Sequence, residues 1–420
     1  MHRRITVLSA FFVVAFSSAF AFDKTSNDPA FAEIDSIVKS LSEITGLAQK
    51  HEVPYGRMTK HQLRQFLNKR IKKTLKPEEI RADELSLKMF GLVPQEFDLK
   101  KSTVDLLTEQ AAAFYDYDEK KLFLLADASV AGETTTLAHE LSHALADQHF
   151  NLENFMEDTP SNDDENLAHT AVVEGQASWL MIAYELKRGG QNPIPTAEML
   201  KSVADSGESS VADYPVLKKS PLYIQQSLLF PYSQGTLFFD AVYRKMGKDA
   251  FAEVFIHPPS NSSQIIHPER YFEHVKPTSP ALPKLSGDVK DVTDGSMGEF
   301  DHQMLLQQYL GAESATALAP HLLGGQFRIV IPKERDSKPV LLYAAAWDSP
   351  HSAADYFEAY RKILQAKWQH CETTVQKANM IAGTGDNGFF VVWLSRNVLS
   401  SVEGLKDADE WHRLQGLGGL

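Results

Sequence analysis

Apolar residues recur at helical spacing along the first third of the chain, which predicts a series of amphipathic helices. The predicted helices cover Asp28–Gln49, Thr59–Lys73, Pro77–Phe90 and Thr103–Ala112. Pro77, Glu78 and Glu79 mark one helix start, because proline fits the first turn and acidic side chains favour the positive end of the helix dipole. The amino-terminal third is therefore expected to be helical.

A short apolar run then interrupts the helical pattern. Lys120–Leu125 follows the turn-like segment Tyr115–Asp118 and predicts a β-strand. Helical spacing resumes around residues 139–149, over Asn166–Tyr184 and over Pro231–Lys245. This part of the chain is therefore expected to be mainly α with a small sheet.

The last hundred residues have a different pattern, with short apolar runs that are typical of strands. Strands are predicted there over Phe327–Ile331, Val340–Trp347 and Phe389–Leu394, with a helix over Ser349–Ala366. Two further helices, Gly298–Leu310 and Glu313–Leu323, are predicted to precede them. The pattern indicates a small α+β unit at the carboxyl end.

Proline-rich segments separate these two parts. Pro258–Ser263 and residues 277–287 break any regular element, so a linker is predicted over residues 276–300. The expected fold class is α+β, with a mainly α domain over residues 22–275 and a small α+β domain over residues 301–420.

The first 21 residues have the pattern of a secretory signal peptide. His2, Arg3 and Arg4 form a basic start, Ile5–Phe16 an apolar stretch, and Ala19-Phe20-Ala21 a small-x-small cleavage site. The apolar stretch is shorter than a typical membrane span. The protein is therefore expected to be exported to the periplasm or the cell exterior, with no stable membrane span after cleavage.

Charge and cysteine content narrow the possible partners. The formal net charge of −13 argues against binding nucleic acid or anionic membranes through a general basic field. The single cysteine, Cys371, excludes an intrachain disulfide, so the fold must be held by its core. A chain of 420 residues is long enough to bury the core of two domains.

The chemistry is concentrated in the sequence His139-Glu140-Leu141-Ser142-His143, which has the His-Glu-x-x-His pattern of zinc peptidases. Histidines four positions apart lie on one face of a helix, about one turn apart. Two imidazoles so placed can bind one zinc ion, and Glu140 then lies beside the ion as a base for a bound water. One Zn²⁺ per chain is therefore predicted.

The third ligand has three candidates: His149, Asp147 and Glu174. His149 follows His143 at the spacing of a three-histidine pattern, but Ala146 replaces the glycine at which that pattern breaks the helix. Glu174 lies in an apolar helical stretch, where a carboxylate needs a partner. Glu174 is the favoured ligand and His149 the alternative. Asp147 lies one turn further along the histidine face, where it can support the site but cannot reach the same ion.

These motifs resemble the gluzincins, the thermolysin-like zinc peptidases, through His-Glu-Leu-Ser-His followed 31 residues later by Val173-Glu174-Gly175. They are also similar to poorly characterised secreted bacterial metallopeptidases. The resemblance implies a zincin-like catalytic domain with an edge strand, expected at Lys120–Leu125, that pairs with extended substrate. One departure is Ser178, which stands where the thermolysin pattern has an aspartate that orients a zinc-bound histidine.

A second resemblance concerns Phe230-Pro231-Tyr232-Ser233-Gln234-Gly235, which is similar to an element of zinc aminopeptidases whose tyrosine stabilises the oxyanion. It implies a catalytic role for Tyr232 at the start of a helix, with His267 as the alternative oxyanion donor. The Gly-x-Met-Glu-Asn strand with which those enzymes bind the substrate amino terminus does not precede His139.

The sequence therefore predicts an exported zinc peptidase that acts on peptide or protein substrates. His139, His143 and Glu174 bind the metal, Glu140 is the general base and Tyr232 the oxyanion donor. The alternatives are a zincin-fold binding protein without turnover and a zinc hydrolase of a non-peptide substrate. Substrate specificity and oligomeric state stay open.

Overall fold

The computed structural model of this chain describes residues 32–126, 133–157, 162–285, 288–333, 337–409 and 411. The predicted signal peptide, residues 1–21, lies outside the described residues. Among the described residues, no helix is both long enough and apolar enough to cross a membrane.

The first part of the described chain is mainly helical. Its elements are α1 (Ile34–Thr45), β1 (Tyr55–Met58), α2 (Lys60–Thr74), α3 (Pro77–Phe90), α4 (Leu99–Gln110), β2 (Ala113–Asp116), β3 (Lys121–Leu125), α5 (Glu133–Phe150), α6 (Leu152–Glu157), α7 (Asp163–Arg188), α8 (Ala197–Ser210), α9 (Pro215–Lys219), α10 (Leu222–Met246), α11 (Ala250–Ile256), α12 (Ser262–Ile266) and α13 (Pro268–Phe272).

The second part contains most of the strands. Its elements are β4 (Val289–Met297), α14 (Glu299–Leu310), α15 (Ala312–Leu318), β5 (Leu322–Pro332), β6 (Val340–Trp347), α16 (Pro350–Lys367), β7 (Cys371–Lys377), β8 (Met380–Gly385), β9 (Gly388–Ser395) and β10 (Val398–Leu405). The predicted α+β fold class, with a sheet at the carboxyl end, is confirmed.

The small sheet has the strand order β1-β3-β2, with β1 parallel and β2 antiparallel to β3. The prediction that Lys120–Leu125 forms a strand is confirmed, but the prediction that this strand is the edge is wrong. Residues 122–125 are all buried, because β1 and β2 flank β3 and helices cover the sheet. The strand next to the site is β2, which the sequence pattern placed partly in a turn.

Two helix predictions differ from the structure in a way that affects the site. The helix that carries Tyr232 begins at Leu222, so Pro231 lies inside α10 rather than in its first turn. The proline removes one backbone hydrogen bond there, and the surrounding apolar contacts keep the helix continuous. The helix that carries Glu174 begins at Asp163, where the side chain of Asn162 accepts a hydrogen bond from the backbone N–H of Glu165.

The large sheet is antiparallel throughout, in the order β4-β5-β6-β10-β9-β8-β7. Its first strand, β4, occupies the later part of the range predicted as a linker, residues 276–300. α16 packs on one face through large rings such as Tyr356 and Tyr360, which share a core with Tyr343 of β6. The same apolar core continues into the helical part of the chain, so the two parts are packed together.

Polar contacts also join the two parts at the end of α3. The ammonium of Lys367 donates to the carbonyl oxygen of Met89 at 3.1 Å and to Oε2 of Glu403 at 2.7 Å. The hydroxyl of Tyr309 donates to the carbonyl oxygen of Gly91 at 2.7 Å. These donors satisfy carbonyl groups that the end of a helix leaves without a partner.

Candidate metal centre

The His-Glu-x-x-His motif lies on α5, as predicted. Leu137, Ala138 and Leu141 are buried in the core and fix one side of this helix. His139 and His143 lie one turn apart on the side that faces a cavity, and their ring centroids are 4.8 Å apart. The helix thus holds both imidazoles toward one point.

Glu174 of α7 completes a compact group with the two histidines. Its Oε2 lies 3.1 Å from Nε2 of His139 and 3.5 Å from Nε2 of His143, and the two Nε2 atoms are 3.1 Å apart. The three side chains are 12%, 5% and 3% exposed, for His139, His143 and Glu174 in that order.

These distances match the donor spacing around one metal ion. Ligand bonds of about 2.0–2.1 Å in tetrahedral geometry place neighbouring donor atoms about 3.3 Å apart. The Nε2 atoms of His139 and His143 are 3.1 Å apart, which is too close for both to carry a hydrogen that points at the other. Two lone pairs facing each other also repel, so a proton or a cation must lie between them. The group of His139, His143 and Glu174, the metal group, can therefore hold a metal ion.

The charges within the group are strongly coupled. Burial opposes ionisation of Glu174, but the charge of His143 and hydrogen bonds from both imidazoles outweigh it and hold the pKa of Glu174 well below its ordinary value. Burial by itself would lower the pKa of His143, but the negative charge of Glu174 raises it. The carboxylate is thus kept anionic, which is the form that binds a metal.

Glu140 lies beside this group and lines the same cavity. Its Oε2 accepts a hydrogen bond from the backbone N–H of Tyr115 at 2.8 Å, which orients the carboxyl group. Burial raises the pKa of Glu140, while the charges of His143 and His139 lower it in part. A carboxylate whose pKa is raised in this way is a better proton acceptor than an exposed one.

Asp147 supports the site without contacting the metal group. Its carboxylate accepts from the hydroxyl of Tyr115 at 3.0 Å, from the ammonium of Lys120 at 2.9 Å and from the backbone N–H of Leu152 at 3.0 Å. These bonds tie β2 to α5. They also hold the backbone N–H of Tyr115 where it reaches Glu140, which fits the supporting role predicted for Asp147.

Tyr232 enters the site from α10, because α7 and α10 pack in backbone contact. A Cβ atom added to Gly175 would lie 2.1 Å from the carbonyl carbon of Gly235, and one added to Gly235 would lie 2.2 Å from the carbonyl oxygen of Ala171. Only glycine permits this approach. It brings Tyr232, one turn before Gly235, next to Glu174.

The ring of Tyr232 stacks against that of His139, with centroids 6.0 Å apart and an interplanar angle of 27°. Burial and the negative charges of Glu174 and Glu140 raise the pKa of Tyr232 well above its ordinary value. The phenol is therefore neutral at physiological pH and is a hydrogen-bond donor, with Glu174 as a partner in this structure.

A second phenol, Tyr117, also lines the cavity, and sequence reasoning missed it. Its ring stands edge-on to that of His143, with centroids 6.2 Å apart and an angle of 88°. Its signal in the sequence, the segment Tyr115-Asp-Tyr-Asp118, was interpreted only as a turn. The segment instead belongs to a hairpin of β2 with β3, and the packing of this hairpin against α5, which lies further along the chain, places Tyr117 at the site.

The metal group lies in the wall of a cavity of about 800 Å³. One part of the wall is apolar and comes from α2, α4, α9 and α10, through Leu63, Phe66, Leu67, Leu107, Leu217 and Leu228. Another part of the wall carries the polar side chains of Glu140, Glu174 and Ser178. The cavity thus joins a polar, metal-binding wall to an apolar one.

The structure places the two alternative candidates away from this group. His149 lies at the end of α5, where Nε2 contacts the carbonyl oxygen of Ala48 at 2.8 Å. Nε2 of His267 lies 2.7 Å from Oε1 of Glu299. Neither histidine is among the residues that line the cavity.

Comparisons with protein-family models, with curated proteins and with solved structures find no match for this chain. The gluzincin resemblance therefore rests on the motifs alone, and function must be argued from the site.

Proposed function

We propose that this chain is a zinc-dependent peptidase. The observation that carries the proposal is the buried group of His139, His143 and Glu174, with Glu140 beside it in an open cavity. Three protein ligands leave a fourth tetrahedral position for water or substrate, which is the arrangement of catalytic rather than structural zinc sites.

The ligand set favours zinc over the hard cations. Imidazole nitrogen suits zinc and neighbouring transition metals, whereas calcium and magnesium prefer sites made of oxygen. Two histidines with one glutamate form a known catalytic zinc set. The spacing of the donor atoms, 3.1–3.5 Å, fits the short bonds of this ion.

The remaining residues supply acid–base and electrostatic chemistry. Zinc, when bound, polarises the scissile carbonyl and lowers the pKa of a coordinated water. Glu140 accepts the proton of the attacking water and passes it to the leaving nitrogen. The backbone N–H of Tyr115 fixes the carboxylate during this transfer. Tyr232 donates a hydrogen bond to the oxyanion that forms on the substrate carbonyl.

The edge strand β2 provides a place for an extended peptide. The backbone N–H of Leu125 donates to the carbonyl oxygen of Ala112, so these two residues form a hydrogen-bonded pair. Along an antiparallel ladder such pairs alternate with pairs that are not hydrogen-bonded to each other. Ala113 and Tyr115 therefore direct their backbone groups away from β3. The N–H of Tyr115 holds Glu140, and the backbone groups of Ala113 are in place to pair with substrate.

The signal-peptide pattern of the first 21 residues supports a role outside the cytoplasm. Peptides or proteins in the periplasm or the cell exterior are the substrates we propose. Export itself is tested by determining the amino terminus of the secreted protein, which is expected at Phe22.

The decisive experiment compares the zinc-loaded wild-type chain with Glu140→Gln on a mixed peptide library. The amide cannot accept the water proton, so cleavage should fall by several orders of magnitude while the zinc content stays at one per chain. Glu96→Gln, the same change at an exposed loop residue, is the control and should retain full activity. Full activity in Glu140→Gln would refute the assigned mechanism.

A further inference from the structure

Tyr117 lies just beyond the end of β2, between two aspartates. Its side chain is buried, with an exposed fraction of 3%. It lines the same cavity as Glu140 and Glu174, and its ring lies edge-on to that of His143. A residue in this position can reach a substrate bound at the metal group.

An unusual set of charges surrounds Tyr117 in the chain. Nη1 and Nη2 of Arg70 lie 3.1 and 3.3 Å from the two carboxylate oxygens of Asp116. Nη2 of Arg70 also lies 3.8 Å from Oδ2 of Asp118. Arg70 thus contacts the residue on each side of Tyr117.

Hydrogen bonds from the backbone complete this arrangement. Oδ1 of Asp116 accepts from the N–H groups of Asp118 and Glu119, at 3.0 and 3.4 Å. The turn around Tyr117 is therefore held at both flanks by side-chain bonds and by its own backbone. These bonds hold the backbone from which the side chain of Tyr117 projects.

Burying the ion pair of Arg70 and Asp116 is energetically unfavourable, so its presence in the core needs an explanation. The side chains of Arg70 and Asp116 are 3% and 0% exposed. A buried ion pair generally contributes little to stability, because removing both charges from water offsets their attraction. Such a pair does fix geometry, since each charge demands its partner in one place. Arg70 and Asp116 line the same cavity as Tyr117, so the pair fixes this part of the cavity wall and with it the place of Tyr117.

We propose that Tyr117 is a second catalytic hydroxyl of this centre, which donates a hydrogen bond to the oxyanion of the tetrahedral intermediate, and that Arg70 positions it. The proposal rests on the peptidase function proposed above. Tyr232 stacks on His139, whereas Tyr117 stands edge-on to His143, so each imidazole has one phenol beside it. Two neutral donors would share the charge that develops on one oxygen.

The first test replaces the hydroxyl alone. Tyr117→Phe in the zinc-loaded full chain should lower kcat by about 10²–10³-fold, the typical loss for one oxyanion donor, and leave KM near its wild-type value. Affinity for a peptide phosphonamidate, a tetrahedral transition-state analogue, should fall by a comparable factor in calorimetric titration. Zinc affinity should not change. Tyr243→Phe, a phenol in the core away from the cavity, is the control.

The second test addresses the positioning role. Arg70→Met leaves Asp116 buried without its partner, so this variant can fail to fold. Asp118→Asn avoids that problem, because the side chain of Asp118 is 20% exposed. We expect Asp118→Asn to lower kcat and analogue affinity in the wild-type background. In the Tyr117→Phe background it should have no further effect, because the hydroxyl it positions is gone.

The outcomes separate this proposal from the peptidase function. Wild-type kcat and wild-type analogue affinity in Tyr117→Phe would show that the tyrosine only packs against His143, with the peptidase function intact. Equal effects of Asp118→Asn in both backgrounds would overturn the positioning role. A wild-type chain that binds zinc but neither cleaves peptides nor binds the analogue would overturn both proposals.

Discussion

Gly175 of α7 and Gly235 of α10 touch backbone to backbone, and this contact sets the distance between the metal group and Tyr232. Added Cβ atoms would lie 2.1–2.2 Å from backbone atoms of the facing helix. Each glycine lies within one turn of a residue of the candidate site, Glu174 on one helix and Tyr232 on the other. Close packing of the two helices is thus part of the construction of the site.

Gly235→Ala is therefore expected to force α7 and α10 apart. Backbone atoms cannot yield as a flexible side chain can, so the unfolding free energy should fall by about 1–3 kcal/mol or more, as for overpacked cores. Peptidase activity should fall by more than the loss of folded protein accounts for, because Tyr232 moves with α10. Urea unfolding and peptide cleavage measure the two effects.

The control for this prediction is Gly189→Ala at the end of α7. Gly189 has a φ of −76°, and an added Cβ atom there would lie 3.4 Å from the carbonyl oxygen of Glu185, an ordinary van der Waals distance. Its stability and activity should stay near those of the wild type. Equal losses in the two variants would show that the helix contact is not what Gly235 provides.

The metal group could be predicted from sequence because its main signal is local. His139, Glu140 and His143 are fixed relative to one another by one turn of α5. Glu174 could be added because a lone carboxylate in an apolar helix requires a partner. The role of Gly175 could not be predicted, because it depends on which helix crosses α7 and on how closely the two helices approach.

Elements that depend on strand pairing were harder to predict. The segment Tyr115–Asp118 is polar and short, so local propensity favours a turn, yet its first residues pair with β3. That pairing makes β2 the edge and places Tyr117 in the cavity. The later part of the range 276–300 forms β4, because pairing with β5 stabilises a strand that alternates weakly by itself.

The contested third ligand gives a direct prediction about metal binding. Glu174→Ala should weaken zinc affinity sharply, because it removes one of three ligands and leaves two imidazoles 3.1 Å apart. His149→Ala should leave zinc affinity nearly unchanged, since His149 contacts the carbonyl oxygen of Ala48 instead. Competition with a chromophoric chelator measures both constants. The reverse order of effects would assign the site to the three-histidine class.

Tyr232→Phe tests the first oxyanion donor. The substitution removes only the hydroxyl, so zinc content and KM should stay close to wild type while kcat falls by about 10²–10³-fold. His267→Ala is the comparison, because His267 contacts Glu299 and does not line the cavity. It should leave kcat unchanged in steady-state assays. Normal turnover in Tyr232→Phe would make this tyrosine a packing residue.

Two buried carboxylates at the start of α7 and α14 predict a pH dependence of stability. Burial and the nearby charge of Asp301 together raise the pKa of Asp164 to about 7, against the lowering effect of the hydrogen bond from Ser262. In the unfolded chain an aspartate has a pKa near 4. Between about pH 4 and pH 7 the folded state therefore binds more protons than the unfolded state. The unfolding free energy should therefore fall as pH rises through this range, by a few kcal/mol, and then level off.

Asp164→Asn isolates this contribution. The amide oxygen can still accept from the backbone N–H of Ser262, but the side chain has no proton to lose. The variant should gain stability relative to wild type from about pH 4 to pH 7, in urea unfolding measured at matched pH values. Asp35→Asn, an exposed carboxylate in α1, should show no such trend. A constant difference between Asp164→Asn and wild type across this range would contradict the assignment.

The apolar wall of the cavity predicts the preferred substrate. Phe66 of α2 packs against Phe114 of β2, with ring centroids 5.5 Å apart, so this wall begins at one face of the edge strand. Side chains of an extended peptide beside β2 alternate between the two faces. Those directed toward α2 meet the wall formed by Leu63 and Leu107, among others. Large apolar side chains next to the scissile bond should be favoured over glycine.

Leu107→Phe tests this preference, because Leu107 is only partly buried and a larger ring would extend into the cavity. In the wild type, kcat/KM for peptides with leucine or phenylalanine beside the scissile bond should exceed that for glycine by about tenfold or more. The variant should lose most of this ratio and keep its zinc and its activity on small residues. Leu323→Phe, the same change at an exposed position, should keep the wild-type ratio. A pocket filled by the phenylalanine ring could no longer favour large apolar residues over glycine. An unchanged kcat/KM ratio in Leu107→Phe would therefore mean that substrate side chains bind elsewhere.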